Sequence, residues 1–190
     1  MYMGDAPLKY SGIPRVNHLE SHLTGELQWQ CPKDIIVDGT ATPGTTADNG
    51  TDGVQQFGSV DLDQTTDEVF VLAIKMLPPD FDPSYMTLDV VYTTTVTSGT
   101  FQLSGTARIK AADGSVVLDV AGTAFAFALA TVPGTASRSK TISLNIKGLA
   151  LVQGAKSGWT LQIMLFRDVS EDNAAADVKV TNVRLRYARK

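Results

Sequence analysis

Residues that carry chemistry are scarce in this chain. Its 190 residues include one cysteine, Cys31, and two histidines, His18 and His22. A lone cysteine excludes an intramolecular disulfide and leaves no thiolate cluster for a metal. Basic residues are in deficit, with 16 Lys and Arg against 20 Asp and Glu and a net charge of −4. A dedicated nucleic-acid binder needs the opposite balance, so no nucleic-acid partner is expected. No run approaches the roughly 18 uninterrupted apolar residues of a membrane span, and no membrane partner is expected either. The opening MYMGDAPLKYSGIPRVNH lacks the apolar stretch of a secretory signal. Also missing are a Gly-x-Ser-x-Gly elbow, a phosphate loop and a dinucleotide fingerprint. A Ser-His-Asp hydrolase would have to recruit His18 or His22. The expectation is a chain with no catalytic residues, no cofactor and no enzymatic activity.

What the sequence does have is alternation. In EVFVLAIKML, a period of two places Phe70, Leu72, Ile74 and Met76 on one face, with Val69, Val71, Ala73 and Lys75 on the other. Both faces are mostly apolar, which reads as one central strand with its second face covered. YMTLDVVYTTTVTSG turns Met86, Leu88, Val90 and Tyr92 inward, and GTFQLSGTARIKAADGS does the same for Phe101, Leu103, Ala107 and Ile109. The latter closes on Asp113-Gly114, a hairpin signal because both residue types tolerate positive φ. SVVLDV, TAFAFALATV, KTISLNIKGL, GWTLQIMLF and DVKVTNVRLRY continue the texture, and GELQWQ precedes it. About eight strands at this spacing, with no long amphipathic helix, predict an all-β antiparallel sandwich. The Gly-, Thr- and Asp-rich stretch from Asp38 to Gly53 reads as a long surface loop.

Residues 1–24 break the pattern. Leu8, Tyr10, Ile13, Val16, Leu19 and Leu23 follow neither a strand nor a helix period. This segment is expected to be an arm outside the core of a sandwich domain at 25–190. Extended at about 3.3–3.6 Å per residue, it reaches on the order of 80 Å, enough to touch a neighbouring molecule.

Several clusters are candidate sites. DVSEDNAAAD, from Asp168 to Asp177, is acidic enough for a weak calcium site completed by backbone carbonyls. It lacks the glycine of a calcium loop, so a solvated, Asx-capped crossover is the favoured reading. Arg167 and Asp168 are neighbours on a strand and point to opposite faces, so Arg167 needs another partner, Asp177 or a backbone carbonyl. Asp80 and Asp82 flank Phe81 in PPDFDP, either as an acid–base pair or as the caps of a proline turn. His18 and His22 stand at the i, i+4 spacing that can grip zinc, with Cys31 not far off in sequence. They lack the intervening glutamate of a metalloprotease helix and are expected to face a partner or solvent, so no metal is expected. Trp29, Trp159, Tyr85, Tyr92 and Tyr187 suit either a sugar-stacking platform or the core. The tail RLRYARK, with Arg184, Arg186, Arg189 and Lys190, reads as the solvated edge of a terminal strand.

One order of segments is familiar. A strand ends in LPPDFDP, followed by MTLDVVYTTTVTSGTFQLSGTARI, TVPGTASRSKTISLNI and GWTLQIMLFRDVSEDNAAADVKVTNVRLRY. Over roughly residues 66–188 this resembles jelly-roll modules encoded in the structural gene clusters of tailed bacteriophages. The resemblance implies a virion structural protein, foremost a capsid decoration or cement protein that stabilises the head. Its partner would be the major capsid protein, gripped by the arm through Leu8, Tyr10, Ile13, Val16, Leu19 and Leu23. It would sit on the capsid surface of the virion after assembly in the host cytoplasm, as a homo-oligomer with a trimer favoured. The alternative is a tail-fibre, head-fibre or baseplate module that binds a host surface glycan.

Overall fold

The structure, a computed structural model, describes residues 24–36, 44–46, 58–111, 122–149 and 154–190. Two six-stranded antiparallel sheets pack against each other. Along the first sheet the order is β12 (Lys140–Asn145), β7 (Phe81–Thr93), β14 (Val178–Arg189), β4 (Ser59–Leu62) and β3 (Gly44–Thr46), and β1 (Thr24–Gln30) also pairs with β14. The second runs β10 (Thr123–Ala126), β9 (Leu103–Lys110), β13 (Thr160–Arg167), β5 (Val69–Leu72) and β2 (Ile35–Ile36), with β6 (Lys75–Met76) also on β13. A further pair, β8 (Thr100–Phe101) with β11 (Ala130–Thr131), closes one margin. The expected all-β antiparallel sandwich is what the chain forms. Among the described residues it has fourteen strand segments rather than about eight, because several runs are interrupted and short edge strands join both sheets.

The alternation read from the sequence sets the inner faces. Met86, Leu88, Val90 and Tyr92 of β7 are fully buried, as are Leu161, Ile163 and Leu165 of β13 and Val183 and Leu185 of β14. Burying each such side chain favours folding by about 1.5–3 kcal/mol. Trp29 anchors β1 across the gap between the sheets: its indole Nε1 donates to the carbonyl of Ala73 at 2.7 Å, and the Lys75 ammonium lies 5.1 Å from its ring centre. Gly25 lets β1 approach β14, since a Cβ there would collide with the Tyr187 ring at 2.1 Å.

Four expectations are corrected. EVFVLAIKML is not one regular strand. Val71 pairs with Met164 and Lys75 with Leu161, so four steps on this strand face three on β13. The extra residue flips the side chains beyond it: Phe70 and Leu72 are core, while Ile74 and Met76 are 58% and 65% exposed. The terminal strand is central rather than an edge, held by β7 on one side and by β1 and β4 on the other. Arg184, Arg186 and Arg189 are accordingly ion-paired within the chain rather than forming a solvated rim. Within the polar stretch 38–53, read as a loop throughout, Gly44–Thr46 forms strand β3 against β4. Residues 1–23 and 112–121 lie outside the described residues, and with them the arm positions Leu8, Tyr10, Ile13, Val16, Leu19 and Leu23, as well as His18, His22 and the Asp113-Gly114 hairpin. Strand β1 begins at Thr24.

Candidate functional site

The acidic crossover between β13 and β14 is the densest group of ionisable side chains singled out from the sequence, and it is organised around a cation of the chain itself. Alternation along β13 turns Arg167 inward, where its side chain is fully buried. A guanidinium cannot stay there unpaired. Its Nε donates to Oδ2 of Asp172 at 2.6 Å. Nη1 donates to the carbonyls of Leu62 at 3.1 Å and Ala176 at 2.9 Å, and Nη2 to the carbonyl of Ala174 at 2.9 Å. Three backbone carbonyls around the crossover, those of Leu62, Ala174 and Ala176, are thus engaged by the planar donor fork of the guanidinium. Of the partners expected for Arg167, the backbone carbonyls are found, and the carboxylate is Asp172 rather than Asp177.

The rim of the crossover is built from short local bonds. Val169–Glu171 forms a single 3-10 turn; Asp168 accepts from Ser170 Oγ at 2.6 Å and Asp67 accepts from the Val169 amide at 2.9 Å. Asn173 reaches across to the amide of Thr100 at 2.7 Å. Beside them, Gly99 holds a φ of +108°, and a Cβ added there would meet the Ala174 backbone at 2.9 Å, so a side chain would be strained. Burial, then the charges of Asp63 and Asp177, hold the Glu68 carboxyl above the ordinary range against the pull of the Asp63 amide. Hydrogen bonds from Thr65 hold Asp63 below it.

Asp80 and Asp82 do not face a common reacting centre. Asp80 pairs with Arg189, and Asp82 caps the amide of Ser84 at 2.8 Å. Between them Phe81 is fully buried and packs on Tyr187, ring centres 5.4 Å apart. The turn reading holds.

Most of the aromatic residues weighed as a sugar platform are core. Trp29, Tyr92 and Tyr187 are buried; Tyr85 and Trp159 are partly so, with the Lys156 ammonium 5.7 Å from the Trp159 ring. Cys31 is buried too, and burial, with Asp34 nearby, pushes its thiol up to about 12.

One cluster escaped the sequence reading. Asp89 lies on the outward side of β7 yet is fully buried, because Arg184 and Arg186 close over it. Both Nε atoms donate to its Oδ2 at 2.8 Å, Arg186 Nη2 reaches Oδ1 at 3.0 Å, and Ser143 Oγ reaches Oδ1 at 2.6 Å. Burial alone would raise this carboxyl, but the hydrogen bonds from Arg186, Ser143 and Arg184 together hold it below the ordinary range. The Arg-x-Arg spacing puts both guanidinia on one face of β14, a signal that becomes readable only once the register opposite Asp89 is known.

No protein-family model and no curated protein matches the sequence. Among solved structures, the chain is similar to CBM35 from Cellvibrio japonicus Abf62, at 15% identity and a TM-score of 0.44 over 87% of this chain and 99% of that one. It is also similar to the xylan-binding module CBM15, at 14% identity and a TM-score of 0.39 over 82% of this chain and 97% of that one. At these identities and TM-scores, what those modules bind is a property of those modules and carries no inference for this chain.

Proposed function

We propose that this chain is a non-catalytic β-sandwich module that works by binding a protein partner, in the role of a virion structural protein. The observation that carries the first half of this reading is how the candidate chemical groups are employed. Arg167 and Asp172 knit the crossover, Arg184, Arg186 and Asp89 lock β7 to β14, and Asp80 ties β14 to the proline turn. These are cross-links of a scaffold. The second half rests on the phage-like order of segments and on the apolar side chains spread through residues 1–24 without a strand or helix period, which would provide a means of attachment. The partner would be a major capsid protein, with Leu8, Tyr10, Ile13, Val16, Leu19 and Leu23 as the gripping side chains and capsid reinforcement as the outcome. Four such side chains would bring roughly 6–12 kcal/mol gross at about 1.5–3 kcal/mol each, before the ordering entropy of the arm is subtracted.

Co-sedimentation with purified phage capsids tests this, comparing the full chain with a full-length Tyr10→Ala, Ile13→Ala, Val16→Ala variant. The triple variant is expected to keep its melting temperature and to lose at least about tenfold in capsid affinity. Equal binding by both, or no binding by the parent chain, would sink the arm-anchored reading.

A second reading, glycan recognition by a fibre or baseplate module, is favoured by one observation. Trp159 is partly exposed, with the Lys156 ammonium 5.7 Å from its ring centre, and an indole with an adjacent cation suits a sugar ring bearing a carboxylate. Quenching of Trp159 fluorescence by acidic oligosaccharides, abolished in Trp159→Ala, would favour this reading over the capsid one.

A further inference from the structure

The two sheets present opposite outer faces. Outside the first, Asp89, Arg184, Arg186 and Glu26 form an ionic lattice. The outer face of the second carries a band that is without charge among the described residues. One row across it reads Ile36, Val71, Met164, Thr106, Ala124, each directly opposite the next. The row beside it reads Val69, Phe166, Ser104, Ala126. Ile36, Ala124 and Ala126 are exposed, and Val69, Val71, Met164 and Phe166 are partly exposed. The bulge after β5 adds Ile74 and Met76 to the same side, both more than half exposed. Within the central row, Thr106 Oγ1 has no hydrogen-bond partner among the described residues.

Along β9, β13 and β5, among the described residues, the charged side chains nearest the band stand beyond its two ends, with opposite signs. Arg108 and Lys110, opposite Gln162 and Thr160, are exposed at one end. At the other end, just beyond the strands, stand Asp67, exposed two residues before Val69, and Asp168, partly exposed two residues after Phe166, whose carboxylates accept from the Val169 amide and from Ser170 Oγ. Thr160 precedes Met164 by as many residues as Asp168 follows it. A surface that is apolar in its middle and oppositely charged at its ends is complementary to itself when inverted.

We propose that two copies of this chain pack face to face through this surface, about a two-fold axis that crosses the strands at the level of Met164. Such an axis reverses the strand direction of the partner. It sets the Arg108 and Lys110 end of each copy against the Asp67 and Asp168 end of the other, and Met164 against its own counterpart. The contact is isologous, and its strands align as in sandwich packing. Five strands at about 4.8 Å and six residue steps of about 3.3 Å give a face of roughly 20 Å by 20 Å. A pair then buries on the order of 1,000 Å², the lower limit for a specific interface, so the dimer is concentration-dependent. A closed three-fold ring would need two different patches, whereas this one is self-complementary, so the unit is a dimer in place of the trimer suggested by the sequence. The inference does not depend on what the arm or Trp159 binds.

Analytical ultracentrifugation of the full chain over about 5–300 µM, a range matched to a weak interface, is the test. The mass is expected to rise from one chain to two. Met164→Glu and Met164→Lys should each weaken association at least tenfold, because the axis opposes like charges, and mixing the two variants should restore it. Thr141→Glu, on the outer face of the other sheet, should leave it unchanged. Circular dichroism and melting of each variant separate lost association from lost folding, and the rescue on mixing is itself a readout that misfolded chains would not give. A monomer at every concentration overturns the proposal, as does a trimer. Association indifferent to both Met164 variants, or no rescue from folded variants, overturns it equally and assigns the face to another occupant.

Discussion

Nε of Arg167 lies 2.6 Å from Oδ2 of Asp172, and the two side chains are 0% and 4% exposed. This pair explains why carboxylates crowd the link between the last two long strands. One of them neutralises a guanidinium that the alternation of β13 drives into the interior, and the loop wraps its carbonyls around the rest of that group. The crossover is therefore part of the fold's framework.

Removing the cation should be severe. Arg167→Ala leaves Asp172 and three carbonyls without their donor, and a loss of about 3–5 kcal/mol is expected, as for any buried pair broken on one side. Arg167→Lys keeps the charge but not the fork, and should fall between the two. Urea unfolding monitored by tryptophan fluorescence reads both. A loss under 1 kcal/mol for Arg167→Ala would contradict this role.

Acid should act through Asp89. Its carboxyl is held below the ordinary 3.8 in the folded chain, so its contribution is complete above the unfolded value and disappears as pH falls through the lower folded one. Asp89→Asn should cost about 1–3 kcal/mol at pH 7, because its arginine partners are part-exposed. It should also flatten the acid limb of a stability curve measured between pH 5 and pH 2. An unchanged slope in the variant would argue against this assignment.

Cys31 should be inert in the native state. With 5% exposure and a thiol pushed up to about 12 by burial and by Asp34, Cys31 stays protonated near neutral pH, and thiolate is the reactive form. A chromogenic disulfide reagent should label it slowly in buffer and fully in denaturant. Rapid labelling of the folded chain would show that the β1–β2 corner opens.

The bulge after β5 makes a paired prediction. Phe70→Ala and Leu72→Ala should each cost about 2–5 kcal/mol, whereas Ile74→Ser and Met76→Ser should stay within about 0.5 kcal/mol of the parent at concentrations where the chain is monomeric. Large losses at positions 74 and 76 would restore the uninterrupted strand.

That contrast marks where the sequence stops being legible. Period-two patterning predicts the class and the inner residues of β7 and β9, because alternation is a local property of each strand. It fails at Ile74 and Met76, where one extra residue against β13 inverts the faces, and the same apolar composition fits either register. The centrality of β14 was hidden because neighbours in a sheet are set by chain topology, and a final strand full of arginines looks like an edge until Asp89 is found beneath them. Arg167 was legible as a residue facing away from Asp168 and in need of another partner. The choice of Asp172 over Asp177 was not, since it depends on the path of a loop with no period. Of the aromatic residues left open between a sugar platform and the core, Tyr92 falls to the core as its strand position implies, and Trp29 and Tyr187 join it there.

The most direct test of the central claim, that the acidic crossover is a scaffold closed by its own guanidinium, is thermal melting of the full chain with millimolar calcium and with a chelator. A ligand bound only by the folded state must raise the melting temperature. The expected result is the same temperature in both, within about 0.5 °C, together with a large drop in Arg167→Ala that calcium does not reverse. A rise of several degrees with calcium in the parent chain would contradict the claim and return Asp168–Asp177 to the status of a metal site.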